Sequence, residues 1–473
     1  MQPRLSNSYE RVLVVGLGKS GQSTTRFLLE RACELNVKSL TLLDSADSGS
    51  IRDFYASLKE ACPEGLRIQA FLGVDELPSS DAEQVYDLCI MTPGLAPHTD
   101  LAKSAYRFSK EVISELELAY RLSPPELNWV AITGTNGKTT TTELARSVLS
   151  TQKKAQVFSV GNIGTPALEL LDQVQAGDYF VAEISSFQAA RLSNFRPTVA
   201  ALLNLSSDHL DWHRDIASYA ADKCKIFAHC AHGDLVLAPA ESELHPEARS
   251  VIAAALEAAQ QRGAELCSID PDTFTFPLAL SELQIRGKHN FTNAAFATAI
   301  ARHFSLPDNN TARALKDFRA QAHRMQEIGT FGETIYVNDS KSTNPEASIS
   351  ALSAYPGLEL TLLLGGQSKG SDYLDLARAA QSRAQKILLF GQAAAELQAC
   401  FEQLDEGRPH NQQVHSFESM KDAVNFACDI ANPCEVVLLS PANASFDEFS
   451  NYEERGEQFT AQVKLHYLSE AKL

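Results

Sequence analysis

Residues 131–142 read AITGTNGKTTTT: the end of an apolar run, two glycines, a lysine and a series of threonines. A common phosphate loop leaves four residues between its first glycine and its Gly-Lys-Thr, whereas only Thr135 and Asn136 separate Gly134 from Gly137 here. The chemistry survives the shortening. Gly134 and Gly137 permit tight turning, the loop amides can surround phosphate oxygens, and Lys138 supplies a point charge for terminal phosphates. Thr139 or Thr140 offers a hydroxyl to Mg²⁺. Set between a buried strand and a helix, the stretch predicts a phosphate site.

The run leading into this loop, WVAITG, is one of a series. RVLVVG, SLTLLD, LCIMTPG, YFVAEIS and VAALLNL accompany it, and TIYVNDS, LTLLLGG, KILLFG and VVLLSP follow after residue 330. Each is succeeded by turn residues and an Ala/Leu-rich helical stretch, the mark of α/β folds with parallel sheets and crossover helices. At roughly 150 residues per domain, the length predicts about three domains. The proline-bearing RLSPPELN (121–128) and the stretch AQAHRMQE (320–327) set the expected boundaries: 1–121, 122–321 and 322–473. The first and last domains are expected to be Rossmann-like and the central one a P-loop-type fold. The stretch from about 240 to 275 is the least regular and reads as a surface elaboration.

The formal charge of −18, from 59 acidic and 41 basic residues, would repel a polyanion over most of the surface, which argues against nucleic acid as a partner. The N-terminal MQPRLSNSYERVLVVG holds an apolar run of only four residues before its first glycine, far short of a signal peptide's apolar segment. No stretch reaches the roughly 18 apolar residues of a membrane span. The nine cysteines are single, with no C-x-x-C spacing. They are expected to be reduced thiols of a cytoplasmic protein.

In the first segment, RVLVV runs into Gly16-Leu17-Gly18-Lys19-Ser20-Gly21, and Asp44 ends the next run. Glycines there let the backbone approach a pyrophosphate held at a helix N-terminus. The pattern meets the dinucleotide fingerprint, and by itself leaves NAD and other nucleotides open. In the second segment, YFVAEISSFQ ends a strand with Glu183, and ALLNLSSDHLDWH ends another with Asp208, His209, Asp211 and His213. Ligands gather at the carboxyl edge of parallel sheets, so Glu183 and His209 are candidates to converge on a cation beside the phosphate loop.

An ordered set of motifs carries a resemblance: TGTNGKTT (133–140), GNIG (161–164), EISSFQ (183–188), SSDHLD (206–211), YAADKCKIF (219–227), GKHNFTNA (287–294), HR (323–324), NDSKSTNP (338–345), LLLGGQSKG (362–370) and LLSPANASFDEF (438–449). Over almost its whole length the chain resembles the Mur ligases, the amide-forming enzymes of peptidoglycan precursor synthesis. Within them it is most similar to the branch that adds D-glutamate to UDP-N-acetylmuramoyl-L-alanine (UDP-MurNAc-L-Ala).

The resemblance makes TGTNGKT a complete ATP loop, with Gly134 to Thr140 around the phosphates and Lys138 bridging them. It redirects the fingerprint from NAD to UDP: Gly16 to Gly21, Asp44, Ser45, Thr92, Pro93 and Gly94 would surround uridine and pyrophosphate, with Asn162 and His209 also on the UDP substrate. Two Mg²⁺ ions are implied, one on Thr139 and Glu183, the other on His209 and Lys223, and Lys223 is expected to carry a carbamate formed with CO₂. The carbamate turns a cation into an oxygen ligand for a hard metal. His209 is also a candidate base for the amine, a job it could not share with metal binding.

Asn290 and Asn293, three apart on one helix face, would reach one adenine edge. Arg324 and Asp339 would approach the nucleotide, the aspartate at the ribose. For D-glutamate the resemblance points to Thr343 and Lys369 on one carboxylate, Ser445 and backbone amides at Phe446 on the other, and the ring of Tyr452. Tyr452 stands where the family usually has Phe, and Asn443 where a cysteine is often seen. The Asp-Asn-Pro-Arg of the diamino-acid-adding ligases is absent, and NDSKST fills the matching region. An NAD-dependent oxidoreductase is the reading from a different class. It leaves the ATP loop, the asparagine pair and the metal residues without roles. The expected working form is a single chain.

Overall fold

The computed structural model describes residues 9–78, 85–210, 212–319, 322–368, 370–405 and 413–470. Three α/β sheets follow one another. The first has β1 (Arg11–Val15), β2 (Ser39–Asp44), β3 (Arg67–Leu72), β4 (Leu88–Met91) and β5 (Val112–Ile113), all parallel in the order β3-β2-β1-β4-β5. The second has β6 (Asn128–Thr133), β7 (Val157–Gly161), β8 (Tyr179–Glu183), β9 (Val199–Leu202), β10 (Leu235–Pro239) and β11 (Glu265–Ile269), parallel in the order β11-β10-β9-β6-β8-β7. The third has β12 (Gln326–Phe331), β13 (Thr334–Asn338), β14 (Glu359–Gly365), β15 (Lys386–Phe390), β16 (Gln413–Phe417) and β17 (Glu435–Ala442), in the order β12-β13-β17-β14-β15-β16. Only β12 is antiparallel to its neighbour.

The strands that sit centrally are the ones with unbroken apolar runs. All eight residues of β17 are buried between β13 and β14, and β1 buries four of five between β2 and β4. A parallel strand covered by helices on both faces needs such a run. Edge strands β3, β11 and β16 are half-exposed and mix polar with apolar residues. The stretch from 240 to 275 is more regular than its sequence suggests. It holds the helix Arg249–Gln261 and β11, and its composition is weakly apolar because it closes one edge of the second sheet.

Cα packing divides the chain into two compact units. One comprises Met1–Pro277 and Ala294–Ala314, with the first two sheets; the other comprises Leu278–Asn293 and Leu315–Leu473, with the third. In the first unit Trp129 of β6 meets Tyr120, Phe180 and Phe195 edge-to-face at 5.9, 5.0 and 5.5 Å between ring centroids. Its indole N–H donates to Ser123 Oγ at 3.1 Å, so the core beneath the strand feeding the phosphate loop buries no unmet donor there. Because β9, β6 and β8 are adjacent, the loops leaving their carboxyl ends lie side by side.

Candidate active site

The phosphate loop turns at Gly137, whose φ of +81° is left-handed and favours glycine. The helix Lys138–Leu149 starts there, and its N-cap Gly137 supplies no side-chain hydrogen bond. The far side of the loop is pinned by Asn204, just beyond β9. Its Oδ1 accepts from the amides of Thr135 (3.1 Å) and Asn136 (2.9 Å), and its Nδ2 donates to Asn136 O at 3.0 Å. Lys138 folds back so that Nζ donates to Gly134 O at 3.0 Å and Thr135 O at 2.8 Å.

Lys223 is buried, and its Nζ donates to the same Gly134 carbonyl at 2.8 Å. Burial, and then the neighbouring charge of Lys138, hold its pKa well below that of an ordinary lysine, against weaker opposing pulls from Asp208 and Glu183. A buried lysine of this kind has its uncharged amine within reach.

Of the two threonines offered by the sequence, Thr139 meets the Glu183 carboxylate. Its Oγ1 donates to Glu183 Oε2 at 2.7 Å, while Thr140 lies half-buried in the same turn. Glu183, buried at the end of β8, also accepts from Asn162 Nδ2 at 2.9 Å, and its carbonyl accepts the Asn162 amide at 2.8 Å. Gly161 allows this approach: with φ +94°, any Cβ there would stand 2.3 Å from Glu183 O. His209 takes a left-handed φ of +55°, with its Nε2 3.6 Å from Asp208 Oδ2 and its ring 4.8 Å from that of Phe187. Lys223 Nζ and the His209 ring both lie against Tyr219, at 4.6 and 6.4 Å. Among the described residues no three His, Cys, Asp or Glu side chains form a ready metal cluster. The donors stand singly on adjoining segments. Asp211 lies outside the described residues.

In the first sheet the glycine loop runs from β1 into the helix Lys19–Glu30. A Cβ on Gly16 would meet Thr92 Oγ1 at 2.0 Å, and one on Gly21 would meet Gly16 O at 1.8 Å and Thr92 Cγ2 at 3.1 Å, so both glycines pack directly against Thr92. Gly18 caps the helix Lys19–Glu30 without a side-chain acceptor. The Asp44 carboxylate accepts from the amides of Leu17 and, at 2.7 Å, Ala46, beside exposed Ser45. A cleft of about 210 Å³ is lined by Lys19, Ser20, Pro93, Glu115 and Asn162. Lys19 Nζ donates to Gly164 O across it at 3.2 Å. Glu115 is buried there and its pKa is pushed up to about 7, by burial first and more weakly by Glu169.

In the second unit Asn290 and Asn293 share a helix face as expected. Both are buried, with Asn293 Nδ2 donating to Asn290 Oδ1 at 3.1 Å and Asn290 Nδ2 to Arg286 O at 2.7 Å. Asp339 follows β13 and accepts from Met325 N (3.0 Å), Ser342 Oγ (2.5 Å) and Ser440 Oγ (2.8 Å). Burial pushes its carboxyl up to about 6, opposed by these bonds and by Arg324. Ser445 is buried, Phe446 is 67% exposed, and Tyr452 opens the helix Tyr452–Glu470 with Lys341 Nζ 3.6 Å from its ring. Thr343 stands just before the helix Pro345–Leu352, and Lys369 lies outside the described residues.

Arg455, which the motifs did not single out, binds these loops together. It donates to Ser340 Oγ and O at 3.0 and 2.8 Å, to Asn443 O at 3.0 Å and to Ala444 O at 3.1 Å. An arginine one turn into a helix that follows the SPANASFDEF loop was the available signal. Asn204 had a similar one, an amide between a strand end and SSDH.

Residues 132–301 match the Mur ligase middle domain and residues 323–443 the Mur ligase glutamate ligase domain. The UDP-N-acetylmuramoylalanine–D-glutamate ligase of Acidobacterium capsulatum is 34% identical, covering 97% of this chain and 96% of that protein. That of Aquifex aeolicus is 33% identical, covering 97% and 99%. The chain belongs to the Mur ligase family. Among solved structures, MurF of Acinetobacter baumannii superposes with a TM-score of 0.58 at 17% identity, covering 90% of each chain. The UDP-N-acetylmuramate-alanine ligase MurC of Thermotoga maritima gives 0.52 at 17% identity, covering 97% and 99%. These structures share the Mur ligase fold with this chain.

Proposed function

We propose that the chain is an ATP-dependent ligase that joins D-glutamate to UDP-MurNAc-L-Ala in peptidoglycan precursor synthesis. The observation that carries the reading is Glu183. One buried carboxylate is hydrogen-bonded both to Thr139 of the phosphate loop and to Asn162 of the GNIG loop lining the UDP-side cleft. ATP and a UDP-linked acceptor would thus meet across a single residue.

A carboxylate does not accept an amine at neutral pH, because oxide is a poor leaving group and the anion repels the nucleophile. Transfer of the γ-phosphoryl to the L-alanyl carboxylate removes both obstacles. The D-glutamate amine then attacks the acyl phosphate, and the tetrahedral intermediate expels phosphate, leaving UDP-MurNAc-L-Ala-D-Glu and ADP. Lys138 and the loop amides neutralise the phosphate charge, and catalysis consists mostly of positioning. Asn290 and Asn293 take the adenine, Arg324 and Asp339 the rest of the nucleoside. Gly16 to Gly21, Asp44, Ser45 and Thr92 to Gly94 hold UDP, and Thr343, Lys369, Ser445, Phe446 and Tyr452 hold D-glutamate.

The donor chemistry fits a hard divalent cation: a hydroxyl and a carboxylate at Thr139 and Glu183, with His209 and a carbamylated Lys223 for a second ion. The low pKa of Lys223 favours carbamylation, since only the neutral amine adds to CO₂. Bound Mg²⁺ would supply charge neutralisation at the transferring phosphoryl group. We place the reaction in the cytoplasm and on a single chain. All nine cysteines are free thiols, and no helix among the described residues is long and apolar enough to cross a membrane.

The test supplies UDP-MurNAc-L-Ala and ATP with one amino acid at a time and measures ADP. Release with D-glutamate alone supports the proposal. Release with L-alanine or diaminopimelate in its place overturns it.

A further inference from the structure

His213 ends the same strand-end run as Asp208 and His209, and the structure buries it. Its Nε2 lies 2.9 Å from Ser186 Oγ and its Nδ1 3.3 Å from Asp222 Oδ2. Serine, histidine and aspartate in this order form the nucleophile, base and orienting acid of serine hydrolases. Ser186 and His213 are only 2% and 4% exposed, however, so no substrate can reach the hydroxyl. The chain of hydrogen bonds must serve something inside the protein.

What it connects is specific. Ser186 lies three residues beyond Glu183, at the start of the short helix Ser186–Ala189. Asp222 immediately precedes Lys223 in the helix Ile216–Cys224, and its other oxygen is 2.9 Å from Lys225 Nζ. The His213 amide donates to His209 O at 2.9 Å, as the Trp212 amide does at 3.1 Å, closing the turn that holds His209 at positive φ. The imidazole is wedged between the rings of Phe187, Trp212 and Tyr219, at 5.8, 4.5 and 5.1 Å. Tyr219 in turn bonds Thr135 of the phosphate loop through its hydroxyl at 3.2 Å.

We propose that His213 is a positioning residue of the ligase reaction, a buried brace that fixes Glu183, His209 and Lys223 relative to one another through Ser186, its own turn and Asp222. The inference rests on the metal-binding roles proposed above for those three residues. A site that must hold hard cations at fixed distances gains from a rigid support outside its own ligands. His213 touches neither substrate nor cation.

The test uses His213→Phe, which keeps an aromatic ring in the wedge but cuts both side-chain bonds, His213→Gln, which retains reach toward Ser186, and Asp222→Ala, which removes the half-exposed end without disturbing the ring. Two readouts are taken on the full chain well below its melting temperature: Mn²⁺ binding in the presence of ADP, by electron paramagnetic resonance, and the kcat and KM of ligation. The expected result is a 10-fold or greater weakening of Mn²⁺ binding and a similar loss of kcat in His213→Phe. His213→Gln and Asp222→Ala should be intermediate, with KM for D-glutamate within 2-fold throughout. Folded variants with wild-type Mn²⁺ affinity and kcat overturn the brace, as does a lowered melting temperature alone. If His213→Phe does not fold, Asp222→Ala decides by the same two readouts. Wild-type protein that binds Mn²⁺ but does not ligate D-glutamate would instead refute the proposed function.

Discussion

Replacing Glu115 by glutamine isolates the cost of ionising a carboxyl in the cleft that Lys19, Pro93 and Asn162 also line. Glu115 accepts the Leu168 amide through Oε1 at 2.9 Å, and a glutamine oxygen can do the same. What glutamine cannot do is ionise. Burial raises the carboxyl from the ordinary 4.5 to about 7, so the folded state prefers the protonated form. That preference leaves stability intact below about pH 4.5, erodes it between about 4.5 and 7, and leaves a constant deficit above. At about 1.4 kcal/mol per pH unit, the shift amounts to about 3 kcal/mol. The assay is urea denaturation of both proteins between pH 4.5 and 8. The chain's two tryptophans, Trp129 and Trp212, both lie in the compact unit that contains Glu115, so their fluorescence follows that unit. The variant's advantage should grow by about 3 kcal/mol across this range. Parallel profiles would refute the reasoning, because every other titrating group cancels in the difference.

Glu183→Gln should cost only about 1–2 kcal/mol of stability, since the Thr139 hydroxyl can rotate to keep one bond. It should lower kcat by roughly 100-fold or more and raise the Mg²⁺ needed for half-maximal rate, measured by phosphate release. Gly161→Ala forces a Cβ to 2.3 Å from Glu183 O at positive φ. A loss of about 2 kcal/mol or more in denaturation, together with loss of ligation, is expected. Because burial raises Asp339 to about 6, ADP affinity by calorimetry should fall as pH drops below about 6 and the carboxylate protonates. Asp339→Asn should flatten that dependence.

How much of this was legible follows from where side chains face. Central strands β1, β6, β14 and β17 announce themselves because both their faces are covered. Edge strands β3, β11 and β16 did not, because one side faces solvent and their sequences mix polar with apolar residues. The groups of the phosphate loop and Glu183 were readable from spacing, since each sits at a strand end. The supports were not. Asn204 and Arg455 act through loop carbonyls and amides brought together only by folding, and Ser186, His213 and Asp222 span 36 residues before they touch. His213 stands among the strand-end residues in the sequence, and only packing turns it inward to Ser186 and Asp222.

The central claim is that the TGTNGKT loop presents ATP to a carboxylate rather than to water. UDP-MurNAc-L-Ala labelled with ¹⁸O in its alanyl carboxylate tests this directly, with the released phosphate analysed by ³¹P NMR after a D-glutamate-dependent turnover. The account predicts one ¹⁸O in each phosphate, carried over when the acyl phosphate is cleaved. Unlabelled phosphate, with both labelled oxygens still on the substrate, would show that water had taken the γ-phosphoryl and would contradict it.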